Sequence, residues 1–160
     1  NLDYGLISNA IEYLNANKES NSAYYTPQSI CYDVIKELPE IEKDTISILE
    51  PSVGAGNFIP LILEKYAGKN IELDIMDIDG NILEVTSILV SKMASLYPNV
   101  KINIINDDYL TFKPTKRYDV IVGNPPFGKV TNTKKLEQYK LETYNKNTNN
   151  LFTFFLKVFS

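Results

Sequence analysis

The chain has 160 residues, enough for one domain with a real core, and its 44% hydrophobic and 22% charged content is that of a soluble globular protein. With no His and a single Cys, Cys31, it has no internal disulfide and no His-based nucleophilic triad, and a zinc site of the usual types is disfavoured. The net charge of -4 argues against nucleic-acid binding by bulk charge, but residues 1–128 hold 10 basic and 18 acidic residues while residues 129–160 hold 6 and 2.

No apolar run approaches the roughly 18 residues that suggest a membrane span. No basic-apolar-small leader is visible, so a cytoplasmic location without membrane contact is expected. The chain opens on Asn1 rather than Met, as a piece of a longer protein would.

In chain order, Leu6, Ile7, Ala10, Ile11 and Leu14 predict a helix over residues 3–17, within an N-terminal helical segment 1–22. Tyr24-Tyr25-Thr26-Pro27 leads into a second helix, with Thr26 as N-cap, Pro27 at its first position and Pro39 as its stop. Its apolar face is expected from Ile30, Val34, Ile35 and Leu38, with Cys31 and Tyr32 packed. The free N–H groups and hydroxyl at such a start suit an anionic group such as a carboxylate.

Thr45 to Leu49 predicts a strand, followed by Glu50-Pro51-Ser52-Val53-Gly54-Ala55-Gly56-Asn57-Phe58 and a helix carrying Ile59, Leu61, Ile62, Leu63 and Tyr66. Strand, Gly-x-Gly turn and helix make a nucleotide-binding unit, because glycine lets backbone approach a ligand where a Cβ would collide. Ile71 to Met76 predicts the second strand, ending in Asp77-Ile78-Asp79. Asp77 stands 21 positions after Gly56, close to the spacing of about 20 at which a carboxylate takes ribose hydroxyls. Ile78 can cover one face of an adenine, and Asp79 can cap a helix over 81–95 whose core positions are Ile82, Val85, Leu89 and Met93.

Lys101 to Ile105 predicts the third strand, ending in Asn106-Asp107-Asp108-Tyr109. Two adjacent carboxylates can serve acid–base chemistry or Mg²⁺, but one accepting from an adenine amino group, with the other in a turn, is the preferred expectation. Asp119 to Gly123 predicts the fourth strand and delivers Asn124-Pro125-Pro126-Phe127. The prolines restrict the backbone, so carbonyls and the Asn124 amide are held rigidly beside a flat ring. That is a grip for a planar ring bearing an amino group. Residues 129–150 are rich in Lys, Asn and Thr and predict a mobile loop, and Asn150 to Phe159 predicts a helix packed on the sheet. The expected fold is α/β, with a doubly wound, mainly parallel, Rossmann-like sheet in one domain over 1–160.

Tyr24-Tyr25-Thr26-Pro27, Glu50-Pro51-Ser52-Val53-Gly54-Ala55-Gly56-Asn57-Phe58, Asp77-Ile78-Asp79, Asp108-Tyr109-Leu110 and Asn124-Pro125-Pro126-Phe127 occur in that order. In this the chain resembles the N6-adenine DNA methyltransferases of restriction-modification systems, in the gamma motif arrangement. The resemblance implies S-adenosylmethionine as methyl donor, held by Tyr25, Thr26, Glu50, Pro51, Gly54, Gly56, Asn57, Phe58, Asp77, Ile78, Asp108 and Tyr109. It implies that Asn124 and the Pro125 carbonyl accept from the target amino group, that Pro126 stiffens them, and that Phe127 stacks on an adenine flipped from double-stranded DNA. Phe127, Lys129, Lys134 and Lys135 are then the nucleic-acid side, and a cognate restriction endonuclease is an implied partner. It also implies that further strands and a target-recognition domain lie outside this chain. Related readings are methyl transfer to rRNA or to a protein glutamine amide; glutamine enzymes favour Tyr where Phe127 stands. A non-catalytic module holding S-adenosylmethionine or DNA is the reading of another class. A dehydrogenase is disfavoured, since Ile59 occupies the place of the third glycine of its turn.

Overall fold

The structure is a computed structural model that describes residues 26–156. The expected helix over 3–17 and Tyr25 lie outside the described residues. Among the described residues nine elements follow in chain order: α1 (Gln28–Lys36), β1 (Thr45–Glu50), α2 (Ile59–Lys65), β2 (Asn70–Asp77), α3 (Gly80–Ala94), β3 (Val100–Asn106), β4 (Val120–Ile121), α4 (Thr133–Glu142) and α5 (Leu151–Phe155).

The four strands form one parallel sheet in the order β3-β2-β1-β4. Register runs from Thr45 opposite Asn70 to Glu50 opposite Ile75, and from Ile71 opposite Val100 to Asp77 opposite Asn106. Side chains alternate across a strand, so each strand supplies two cores. On one face Ile46, Ile48, Ile71, Leu73, Ile75, Val120 and Val122 meet Cys31, Ile35, Phe58, Ile59, Ile62, Leu63, Tyr66, Leu83 and Val90 from α1, α2 and α3. On the other Leu49 and Met76 meet Tyr109, Leu110, Tyr139 and Phe154, the last two from α4 and α5. Helices thus cover both faces, most fully at β1 and β2, while the edge strand β3 has no buried residue. This is the doubly wound α/β architecture expected.

Four local expectations are corrected. Residues 129–150 are not a loop throughout: Asn132 caps α4 by accepting from the Lys135 N–H, and Tyr139 anchors that helix in the second core. In α1 the buried residues are Cys31 and Ile35, while Ile30, Tyr32 and Val34 are exposed. The helix turns its Cys31–Ile35 ridge inward, and residues one position away face outward. The N-cap of α1 is Pro27 rather than Thr26, without a side-chain cap; the Pro27 carbonyl takes the Ile30 and Cys31 N–H groups. In α3 the buried set is Ile82, Leu83, Thr86 and Val90, and Val85 is exposed. Thr86 is tolerated in the core because its hydroxyl donates to the Gly54 carbonyl.

β4 is shorter than expected, but its pairing runs on at both ends. The Asp119 N–H donates to the Ser47 carbonyl and the Val122 N–H to the Leu49 carbonyl. The Asp119 carboxylate also accepts from Lys43 and from the Ser47 N–H, which holds its pKa below the usual range.

Candidate active site at the carboxyl ends of the strands

Because all four strands are parallel, their carboxyl ends lie along one edge. Glu50 ends β1, Asp77 ends β2, Asn106-Asp107-Asp108 follows β3, and Asn124 follows β4. The order reverses between β1, whose next strand in sequence lies on one side, and β4, which lies on the other. Open α/β sheets bind ligands at such a switch point. Here it separates Glu50 from Asn124.

The two strand ends touch. A Cβ on Gly123 would stand 3.2 Å from Pro51 Cδ, 3.4 Å from Ser52 Oγ and 3.8 Å from Glu50 Cγ. Glycine is therefore what lets the Asn-Pro-Pro-Phe segment approach the glycine turn. The Ser52 hydroxyl locks the pair by donating to the Asn124 carbonyl at 2.9 Å.

The turn after β1 is built around positive φ. Gly54 has φ 49° and Gly56 φ 79°, a region that L side chains enter at a cost. The Gly54 N–H donates to Asp77 Oδ2 at 2.9 Å, and the Asp79 N–H to Asp77 Oδ1 at 3.0 Å. Asp77 thus bridges the glycine turn and the turn after β2. Burial raises its pKa, while those N–H donors pull it back. Asp79 caps α3 by accepting from the Asn81 and Ile82 N–H groups, as its position predicts. Ile78 beside them is 58% exposed, an apolar side chain standing in solvent at the crevice rim.

Glu50 is the anomaly of the site. It is 1% exposed, and neither carboxylate oxygen has a hydrogen-bond partner among the described residues. Burial, reinforced by the nearby Asp77 charge, raises its pKa well above the ordinary carboxylate value. A buried carboxyl without donors is costly, and native structures retain one where a ligand or strain accounts for it.

The remaining cofactor candidates divide. Thr26 is buried, and its carbonyl accepts from Asn57 Nδ2 at 2.9 Å, which ties the segment before α1 to the glycine turn. Phe58 and Tyr109 are buried in the two cores. Tyr109 packs on the Phe155 ring at 5.0 Å, and burial pushes its hydroxyl pKa up to about 12. Asp108 Oδ1 accepts from the Leu110 N–H and Oδ2 from the Tyr139 hydroxyl, while Asp107 closes a turn on the Asp108 N–H.

After β4, Asn124, Pro125 and Pro126 are half-buried and joined by trans peptides. No partner engages the Asn124 side-chain amide among the described residues. Phe127 is 47% exposed and lies nearly parallel to Phe152, with ring centroids 6.1 Å apart and planes 16° apart. An antiparallel bridge between Lys129 and Asn150 zips this segment to the start of α5, with the Leu151 N–H on the Gly128 carbonyl and the Val130 N–H on the Asn149 carbonyl. Lys129, Lys134 and Lys135 are exposed, the last two in the first turn of α4.

Three supports of this site carry no expectation from the sequence, Ser52, Thr86 and Tyr139, while Asn106 is expected at the crevice without its partner. Asn106 Nδ2 donates to the Asp77 carbonyl at 2.9 Å and fixes the turn that aims Ile78. Only Thr86 left a legible signal, as a hydroxyl four residues after Ile82 on the buried face of a helix.

The methyl donor implied by the resemblance fits the residues present. Its ammonium group would answer the buried Glu50 carboxyl, which no described residue satisfies, its ribose hydroxyls would suit Asp77, and its adenine would suit exposed Ile78.

Comparison with known proteins agrees. The N-6 DNA methylase family profile matches residues 5–160. The type II methyltransferase M.VspI of Vibrio sp. (strain 343) is 31% identical over 114 residues, 70% of this chain and 27% of that protein. The modification methylase CviBIII of Paramecium bursaria Chlorella virus NC1A is 30% identical over 114 residues, 69% of this chain and 27% of that protein. The chain thus spans about a quarter of the length of these relatives. In fold it is similar to a Listeria monocytogenes protein described as a class I S-adenosylmethionine-dependent methyltransferase (TM-score 0.69, 18% identity, 98% of this chain and 49% of that one). It is similar as well to the type IIG restriction endonuclease BpuSI (TM-score 0.63, 18% identity, 96% of this chain and 20% of that one). On the strength of the profile match over nearly its whole length, the chain belongs to the N-6 DNA methylase family.

Proposed function

We propose that the protein carrying this chain transfers a methyl group from S-adenosylmethionine to the N6 amino group of adenine in double-stranded DNA, as the modification arm of a restriction-modification system with a cognate endonuclease as partner. The observation that carries this reading is the pairing, across the β1/β4 switch point, of a buried carboxyl that no described residue satisfies with a half-buried side-chain amide. The Glu50 carboxyl awaits a cation on one side, and the half-buried Asn124 amide awaits a donor on the other.

S-adenosylmethionine, when bound, supplies an electrophilic sulfonium methyl. The chain's own residues do the rest. An adenine amino nitrogen is a poor nucleophile, because its lone pair is delocalised into the ring. Asn124 Oδ1 and the Pro125 carbonyl accept its two hydrogens, draw the nitrogen toward a tetrahedral shape and localise the lone pair. As nitrogen gains positive charge, the same two dipoles stabilise it. Pro125 and Pro126 fix those dipoles in advance, so the step needs positioning more than a strong base. Ser52 holds the Asn124 carbonyl and leaves its side chain to the substrate. Phe127, half-exposed, offers a stacking face that offsets the few kcal/mol of unstacking the target base.

Two features support a polyanion on this side. Lys134 and Lys135 stand in the first turn of α4, where the helix dipole disfavours cations, so a phosphate there would relieve both. Lys129 follows Phe127 by two residues. The rest of the chain is acidic, so duplex DNA is drawn to this face alone.

The test is calorimetry followed by methylation. S-adenosylmethionine binds and NAD does not; the reverse would overturn the cofactor assignment. In the whole protein Asn124→Ala abolishes methylation of DNA while cofactor affinity stays within about threefold. Methylation near the wild-type rate would remove Asn124 from the chemistry.

A further inference from the structure

Tyr139 lies 31 residues beyond Asp108, on the helix that follows the Asn124–Phe127 segment, yet its hydroxyl donates to Asp108 Oδ2 at 2.5 Å. The contact is within the second core. Tyr139 is 4% exposed, and its ring packs on Phe154 at 5.8 Å. The opposite oxygen of the same carboxylate, Asp108 Oδ1, accepts from the Leu110 N–H at 3.1 Å. An O–H···O⁻ bond of this length falls in the charge-assisted class, roughly twice as strong as a neutral one. Both oxygens of Asp108 are therefore pinned, one by its own turn and one by α4.

From this geometry we infer that Tyr139 is a positioning residue that makes the cofactor site specific for a purine bearing a 6-amino group. The inference rests on the proposed methyl donor and on the expectation from the sequence that Asp108 accepts from its adenine amino group. A carboxylate offers about four lone-pair sites. Leu110 and Tyr139 take one on each oxygen and fix the plane of the group. The remaining sites keep one direction and can only accept. Adenine presents an N–H donor there. A 6-oxo purine presents an acceptor, which a fixed carboxylate repels. Without the Tyr139 hydroxyl, Asp108 is held at one oxygen only and can turn its lone pairs away from the amino group. The hydroxyl thus holds the carboxylate in the orientation that discriminates. It also links the helix bearing Lys134 and Lys135 to the cofactor side of the site.

The experiment uses Tyr139→Phe, which keeps the ring and its packing on Phe154. Two probes are titrated calorimetrically into the full chain: S-adenosylhomocysteine, and its deaminated counterpart S-inosylhomocysteine, which carries a carbonyl at C6. In the wild type the adenine ligand is preferred. In the variant that preference falls roughly tenfold, in line with loss of a hydrogen bond to a charged group, while affinity for the deaminated ligand is unchanged or rises. Binding of the deaminated ligand also reports that the variant is folded. An unchanged or sharper preference overturns the role, and so does an equal loss for both ligands, which is the signature of a purely structural residue. A wild type that binds neither ligand instead overturns the cofactor reading on which the inference stands.

Discussion

Replacing Glu50 with Gln isolates a buried carboxyl that no described residue satisfies. Both Glu50 oxygens are buried without a donor among the described residues, and Asp77 adds a like charge nearby. Such a group costs about 1 to 3 kcal/mol, more when ionised. Glutamine keeps the shape and removes the charge, but its amide still lacks partners. A net gain of about 1 to 2 kcal/mol is expected, which for a chain of this size is roughly 2 to 8 °C in melting temperature. The pH dependence has a definite sign. The folded-state pKa is raised, so this group's contribution is fully present below the unfolded value of 4.5 and is lost as pH rises through the folded pKa. The wild type therefore loses ground to the Gln variant as pH increases. Thermal melts at pH 5 and pH 8 without ligand measure this. With S-adenosylmethionine at about 100 times its Kd the wild type gains about 2.7 kcal/mol, and at the same concentration the variant gains less. A Gln variant no more stable than wild type at pH 8, with the same pH slope, would refute the reasoning that Glu50 is an orphan kept for a cation.

Asp77→Ala removes the acceptor of both the Gly54 and Asp79 N–H groups, and S-adenosylmethionine affinity falls at least about tenfold; unchanged affinity in calorimetry removes Asp77 from the cofactor site. Gly123→Ala brings a Cβ to 3.2 Å from Pro51 Cδ, which costs about 1 to 3 kcal/mol in denaturant unfolding. It also slows methylation by the whole protein, because Asn124 moves relative to the glycine turn; a midpoint and rate equal to wild type would show that the two strand ends have slack.

Much of the site was legible because its residues sit at fixed places in a repeating βα pattern. Each strand is an apolar run, and whatever follows it emerges at the same edge of a parallel sheet. Glu50, Asp77, Asp108 and Asn124 could therefore be grouped without coordinates. Helix faces were less legible. In α1 the apolar residues Ile30, Cys31, Val34 and Ile35 form two adjacent ridges, and pattern alone does not choose between Cys31–Ile35 and Ile30–Val34. The segment 129–150 misled because Lys, Asn and Thr suggest solvent, while its helix is anchored by Tyr139, Leu136 and the Glu142–Lys113 pair, long-range contacts that no local pattern announces.

The sequence by itself determined the fold class, the order of the motifs and the chemical kind of each strand end, since these depend on local periodicity and on which residues follow a strand. The tertiary structure alone decided which groups are satisfied. That Ser52 holds the Asn124 carbonyl and that Tyr139 reaches Asp108 are contacts between chain segments up to 72 residues apart, and that Glu50 finds no donor among the described residues depends on the same packing. Hydrogen-bond satisfaction is a property of the packed neighbours, which no local pattern in the sequence carries.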